Sequence, residues 1–226
     1  MALSDKTILE ALESGKIIID PFYRRNLGTS SYDVSLGPWF FREKKPQNMR
    51  VYNVYNAQHA EQVWGREAEY AQQAQDVLEE FEFIGLNPDD RVILIEPGET
   101  ILAHTQEFIG GKQNITTMMK ARSSMGRNFL EVCKCAGWGD VGYVNRWTME
   151  ITNNSRYYSI PLVVGRRIAQ IIFFEVGDIL EQDYTSTGKY QQTQDLETIK
   201  TNWQPTMMLP KMYNDREIFD ESKDTG

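Results

Sequence analysis

From Lys16 to Val176 the chain is a succession of short strand-like runs punctuated by Gly, Pro and Asn, and this pattern narrows the fold more than any other feature. Runs at Lys16–Pro21, Ser31–Leu36, Trp39–Phe41, Arg91–Ile95, Thr100–His104, Ile115–Lys120, Arg146–Thr152, Ile160–Val164 and Ile168–Val176 are too short for core helices. Pro97-Gly98 marks a turn between two of them. Many short strands with such turns predict a mainly β chain, a barrel or a jelly-roll-like sandwich. One opening helix is expected: Ser4 is placed to cap it, Ile8, Leu9 and Leu12 recur at helical spacing, and Gly15 offers a left-handed stop. Between Lys44 and Asp90 the pattern loosens, and the Gln/Glu/Ala-rich stretch Ala57–Glu82 predicts a helix within an insertion that covers or extends the barrel.

At 226 residues with no internal period, one domain spanning 1–226 is expected, with 44–90 as an insertion and 200–226 as a C-terminal extension. The formal net charge of -8 argues against nucleic acid as a partner, although a local pair of arginines can still hold a small anion. No apolar run approaches the roughly 20 residues of a membrane span, and Met1-Ala2-Leu3-Ser4-Asp5-Lys6 has no signal-peptide profile, so a cytoplasmic location away from membranes is expected. Cysteine occurs only at Cys133 and Cys135, and histidine only at His59 and His104. A zinc site takes three or four Cys/His ligands at set spacing, which C-x-C alone does not supply. The two cysteines read as small residues on one face of a strand.

Three segments carry chemistry. In Arg122-Ser123-Ser124-Met125-Gly126-Arg127, two guanidiniums and two hydroxyls lie within six residues, a donor density suited to phosphate oxygens. The other reading is a helix N-terminus with a Ser cap and two solvated arginines. Ala136-Gly137-Trp138-Gly139-Asp140-Val141-Gly142-Tyr143 bends sharply on three glycines and presents Asp140 and Tyr143, although an Asp in such a turn often does no more than bond its own backbone. Alternation in Trp147–Thr152 puts Trp147, Met149 and Ile151 on one face and Thr148, Glu150 and Thr152 on the other. If that second face closes over a ligand, desolvation raises the pKa of Glu150 and makes it a proton shuttle; if it faces solvent, Glu150 is a surface residue.

The order of these segments resembles the dCTP deaminase and dUTPase superfamily. Ile19-Asp20-Pro21-Phe22, Ser30–Leu36, Pro97-Gly98-Glu99, the Arg122–Arg127 run, the Ala136–Asp140 turn, Thr148-Met149-Glu150, Gly165–Gln170 and Gly188-Lys189-Tyr190-Gln191 follow in the family's sequence. The resemblance implies a distorted, dUTPase-like β-barrel in a homotrimer with active sites between subunits, and Mg²⁺ carried on the substrate triphosphate rather than by the protein. It implies phosphate binding by Arg122, Ser123, Ser124, Met125, Gly126 and Arg127, and Asp140 serving the sugar and a water, with Ala136 and Tyr143 beside it. Thr148 and Met149 would line the base, and Glu150 would be the general acid/base at cytosine C4. Gln170, Tyr184, Lys189 and Gln194 would close over the nucleotide. Deamination by such a site uses no zinc-bound water.

The Ala-Gly-Trp turn with both Asp140 and Glu150 is similar to bifunctional enzymes taking dCTP to dUMP, so dCTP and dUTP are the expected ligands. A deaminase stopping at dUTP, a dUTPase alone and a nucleotide-binding regulatory trimer are the alternatives. Gly139 stands where the family has an aliphatic residue, Asn145 stands where it has glycine, and its distal glutamine has two counterparts, Gln192 and Gln194.

Overall fold

The computed structural model describes residues 1–46, 48–79, 82, 84–180, 190–191 and 193–215. The chain opens with α1 (Asp5–Glu13), β1 (Ile17–Asp20) and β2 (Tyr32–Arg42). The region between β2 and the next long strands holds α2 (Ala57–Trp64), β3 (Glu69–Tyr70), β4 (Gln72–Gln73) and α3 (Ala74–Val77). Then follow β5 (Arg91–Ile95), β6 (Thr100–Gly111), β7 (Ile115–Ala121), α4 (Ser123–Arg127), β8 (Leu130–Val132) and β9 (Trp138–Gly139). β10 (Val144–Asn153), β11 (Ile160–Val163), β12 (Arg167–Glu175) and α5 (Leu196–Asn202) complete it.

The expected start of α1 is present. Ser4 Oγ accepts the Thr7 N–H at 3.3 Å, and Gly15 sits at φ 74° just past the last turn. The larger sheet runs β8-β10-β6-β2-β12-β7-β9, with β1 on β6 and β3 on β2, while β11-β5-β4 forms a smaller one. Val132 near one end of that order and Met119 near the other belong to the same buried cluster, together with Tyr32, Met149 and Phe173. A sheet whose two ends share a core must curl back on itself, which gives the expected mainly β barrel. Cys133 Sγ donates to Met119 Sδ at 2.9 Å across that seam.

Three local expectations change. The runs Ser31–Leu36 and Trp39–Phe41 form a single strand, β2. The stretch Ala57–Glu82 is not one helix: α2 stops at Gly65, whose φ of 81° no helix continues, and β3 and β4 intervene before α3. These two short strands tie the sheets together, since Tyr70 pairs with Trp39 of β2 and Gln72 pairs with Val92 of β5. Cys133 and Cys135 lie beyond β8 in a turn, with Cys133 and Lys134 at φ 63° and 41°, and only Cys133 is buried.

β6 and β10 pair irregularly, and this shapes the site. Arg146 pairs with Phe108 but Thr148 pairs with His104, so β6 bulges opposite Trp147, whose N–H is satisfied by Thr105 Oγ1 at 2.9 Å. The bulge carries Glu107 inward, fully buried. Its Oε2 accepts the Ser35 N–H at 2.9 Å, and Oε1 has no hydrogen-bond partner among the described residues. Burial raises the Glu107 pKa, against the bonds from Ser35 and the charge of Arg146. Where the folded pKa exceeds the unfolded one, both states hold the proton at low pH, and stability is lost as pH climbs through the folded value. Glu107→Gln keeps an acceptor for Ser35 and cannot ionise. Calorimetry should show its midpoint raised by about 2–4 °C at pH 8 and little changed near pH 4; a lower midpoint at pH 8 would show that the carboxylate is needed.

Candidate active site

Glu150 and Leu102 are register partners on β10 and β6, and both line a cleft of about 540 Å³. Alternation along β10 sends Thr148 and Glu150 into this cleft, and Trp147 contributes to its wall. Met149 is fully buried in the core, so of this residue only the backbone can reach the cleft. Glu150 is partly buried, and desolvation raises its pKa while the nearby Lys134 charge pulls it down. The solvent-facing alternative for Glu150 therefore does not describe this site.

The glycine turn delivers the second carboxylate. Gly137 passes so close to β7 that a Cβ there would lie 2.4 Å from Met119 O. A Cβ on Gly139 would lie 2.5 Å from the Trp147 ring. The indole and Thr117 Oγ1 thus occupy the space a side chain at 139 would need, and the indole is held by Trp147 Nε1 donating to Ile109 O at 2.9 Å. Asp140 O accepts the Tyr143 N–H at 3.1 Å, closing the turn, and the Tyr143 ring meets Trp147 edge-on at 5.4 Å. Ala136, Asp140, Tyr143, Thr148 and Glu150 therefore face one cavity.

Arg122 faces another. A second cavity of about 680 Å³ is lined by Arg25, Arg122, Met125, Arg166 and Arg167, with Ser35 among them, and no residue lines both cavities. Asp33 Oδ2 ties Arg122 Nε at 3.2 Å and Arg167 Nη1 at 3.1 Å. Ser123, Ser124, Gly126 and Arg127 are exposed in α4 and line neither of these two cavities. Gln170 pairs with Asp33 and Lys120 in the sheet between β2 and β7. Within one chain the phosphate candidates and the carboxylates are thus kept apart.

A family model described as dCTP deaminase-like matches residues 2–176. The chain belongs to the dCTP deaminase-like family. Among similar proteins named dCTP deaminase, dUMP-forming, one from a Hydrogenobaculum species is 34% identical over 181 residues, covering 79% of this chain and 85% of that protein. Another, from Acidothermus cellulolyticus, is 30% identical over 206 residues, covering 90% and 96% respectively. The fold is similar to the crystal structure of 2'-deoxycytidine 5'-triphosphate deaminase from Agrobacterium tumefaciens, with a TM-score of 0.53 at 16% identity. That likeness takes in 80% of this chain, which spans 50% of the Agrobacterium chain.

Beyond the family match, the C-terminal segment builds much of the cleft, and this was not legible beforehand. Tyr190, Trp203, Met207, Met208 and Met212 line it. The Trp203 ring lies 4.5 Å from the Arg146 guanidinium carbon and 4.6 Å from the His104 ring. His104 Nδ1 donates to Thr105 O at 2.8 Å, its Nε2 accepts the Trp39 N–H at 3.3 Å, and burial holds its pKa down at about 4, so a neutral imidazole backs Trp203. Gly37 gives that ring room, because a Cβ there would meet it at 2.1 Å.

Gln191 closes the Gly188-Lys189-Tyr190-Gln191 motif, which by itself gives it no role. It is buried, its Oε1 accepts the Val144 N–H at 2.9 Å, and its Nε2 donates to Gly142 O at 3.0 Å. It thereby ties the C-terminal segment to the turn bearing Asp140 and Tyr143. Gln194 lies nearby, its carbonyl accepting Lys112 Nζ at 2.8 Å, but it does not line the cleft. Tyr184, Lys189 and Gln192 lie outside the described residues. Gln191→Ala leaves the Val144 N–H without its acceptor, a loss of about 1–3 kcal/mol. Its kcat/KM should fall roughly 10- to 100-fold, with Gln191→Glu, which keeps the acceptor, in between; wild-type kinetics for both would remove Gln191 from the turn's support.

Proposed function

We propose that this chain is a zinc-independent hydrolase of pyrimidine deoxynucleotides that deaminates dCTP and releases pyrophosphate to give dUMP. The observation that carries the reading is Glu150, a partly buried carboxyl with an upward-shifted pKa opening onto a cleft that also receives Asp140 and Tyr143. The relatives' name, dCTP deaminase, dUMP-forming, agrees with it.

In deamination Glu150 takes a proton from water as its oxygen adds to C4, then delivers the proton to the amino nitrogen, and the C4–N bond breaks to release ammonia. Thr148, Ala136 and the Met149 backbone bound the base. Tyr143 lies against the sugar, and Asp140 orients the sugar hydroxyl and the water that attacks the α-phosphorus. Arg122, Ser123, Ser124, Met125, Gly126 and Arg127 hold the phosphates of a nucleotide whose base sits in a neighbouring subunit's cleft, which makes the unit a homotrimer with shared sites. We assign the closing of the site over the nucleotide to Gln170, Tyr184, Lys189 and Gln194, of which Gln170 and Gln194 do not line this chain's own cleft. Mg²⁺ would be carried by the oxygens of the triphosphate and by water rather than by a cluster of protein ligands. When bound there, the ion offsets the charge developing on the phosphates. A soluble deoxynucleotide substrate goes with a cytoplasmic enzyme, and no helix among the described residues is long and apolar enough to cross a membrane.

Incubation with dCTP and Mg²⁺ should give ammonia, dUMP and pyrophosphate in equal amounts. Accumulating dUTP would remove the second step. Hydrolysis of dUTP without ammonia from dCTP would leave a dUTPase, and binding without any product would leave a regulatory trimer.

A further inference from the structure

We propose that the cleft beside Glu150 accepts an apolar substituent on C5 of the cytosine ring, so that 5-methyl-dCTP is a substrate alongside dCTP; this rests on the deaminase reading above. C5 is bonded to C4, so a group at C5 must fit within a few ångströms of the carboxyl that serves C4. On the β6 side of Glu150 its direct neighbour is Leu102, the register partner, and side chains so paired on one face lie about 5 Å apart.

Leu102 does not stand alone. It is buried in a small apolar cluster with Phe41 and Met208, and Trp64 of α2 packs against the same cluster. Met207 and Met208 lie on the wall of the cleft, beyond the stretch that matches the family model at residues 2–176. The wall therefore joins β6 to the C-terminal segment. Its chemistry selects the substituent. Leucine and methionine offer a methyl group dispersion contacts, and an unbranched thioether adjusts its rotamer to a small added group where a rigid ring would clash. The cleft volume of about 540 Å³ lies in the range for whole drug-sized ligands, roughly 300–1,000 Å³, a size that admits a nucleoside with a small added group.

The reaction is balanced without an oxidant or reductant. Water adds at C4, Glu150 passes its proton to the amino nitrogen, the C4–N bond breaks, and ammonia leaves a thymine ring with its methyl group unchanged.

The full chain is assayed with dCTP and with 5-methyl-dCTP, each with Mg²⁺, for ammonia and for nucleotide product. Comparable kcat/KM for the two nucleotides, within about threefold, with a thymidine nucleotide as product, is the expected result. Ammonia from dCTP with 5-methyl-dCTP more than about 30-fold poorer overturns the proposal and leaves deamination standing, because a methyl group in an apolar pocket shifts kcat/KM by roughly 10- to 200-fold. Ammonia from neither nucleotide removes the deaminase reading and this proposal with it. Leu102→Phe, which fills the space beside C5, should lower the ratio of 5-methyl-dCTP to dCTP turnover at least about tenfold. Met207→Phe serves the same test from the C-terminal segment should the β6 variant not fold, and an unchanged ratio in either folded variant overturns the assignment of the wall.

Discussion

Glu150→Gln should lower ammonia release from dCTP by roughly 10²- to 10⁴-fold, the range in which a positioned acid/base acts, while nucleotide affinity stays within a few-fold of wild type. The amide is isosteric with the carboxyl but can neither take the proton from water nor return it to the leaving nitrogen. The pH dependence gives a sharper test. Attack needs Glu150 ionised, and burial raises its pKa, so activity falls with acidification along a limb that lies above the ordinary carboxylate range. Lys134 counters this shift through its charge. Removing it in Lys134→Ala should move the acid limb to still higher pH, and a limb that stays in place would show that Lys134 does not act on this carboxyl. Normal deamination by Glu150→Gln would mean the base chemistry belongs to another residue.

Mixing two inactive variants should restore activity. The carboxylates face one cavity and Arg122 another, with no lining residue in common; under the proposed shared site, each working centre takes Glu150 from one chain and the Arg122–Arg127 run from a neighbour. Arg127→Ala alone should mainly raise the KM for the triphosphate, because it removes a guanidinium from the phosphate-binding run. If equal amounts of Glu150→Gln and Arg127→Ala chains are unfolded together and reassembled, half the sites receive an intact Glu150, and half of those receive an intact Arg127. About a quarter of the sites are then whole, as expected for a symmetric ring of shared sites. Activity should rise from the sum of two impaired enzymes toward that fraction of wild type. A mixture no more active than its components would show that each chain completes its own site and would remove the shared-site trimer.

The β framework was readable because strands with turn residues carry their signal locally: Ser4, Gly15 and Pro97-Gly98 mark their boundaries whatever surrounds them. The Glu150 reading rested on period-two alternation, which identifies a face but not what that face meets. In the fold that face opens onto a cleft, with Leu102 as the register partner of Glu150. Met149 shows the limit of transferring a motif whole, since its neighbours face the cleft while its side chain is in the core. Gly139 is packed against Trp147, eight residues along and on another strand, a long-range pairing that no local pattern encodes. The same holds for Gln191, Trp203 and Met208, whose roles come from where the C-terminal segment docks rather than from spacing. The break in α2 was local, but a Gln/Glu/Ala-rich composition concealed the single glycine that causes it.

Trp64, Trp138, Trp147 and Trp203 border a single cleft, and the chain has five tryptophans in all. Its ultraviolet emission is therefore dominated by indoles at one location, drawn there from the inserted helix, the glycine turn, a central strand and the C-terminal segment. A ligand arriving in that space changes the polarity around most of the fluorophores at once. The molecule thus carries its own optical gauge of occupancy, and titrations need no attached dye.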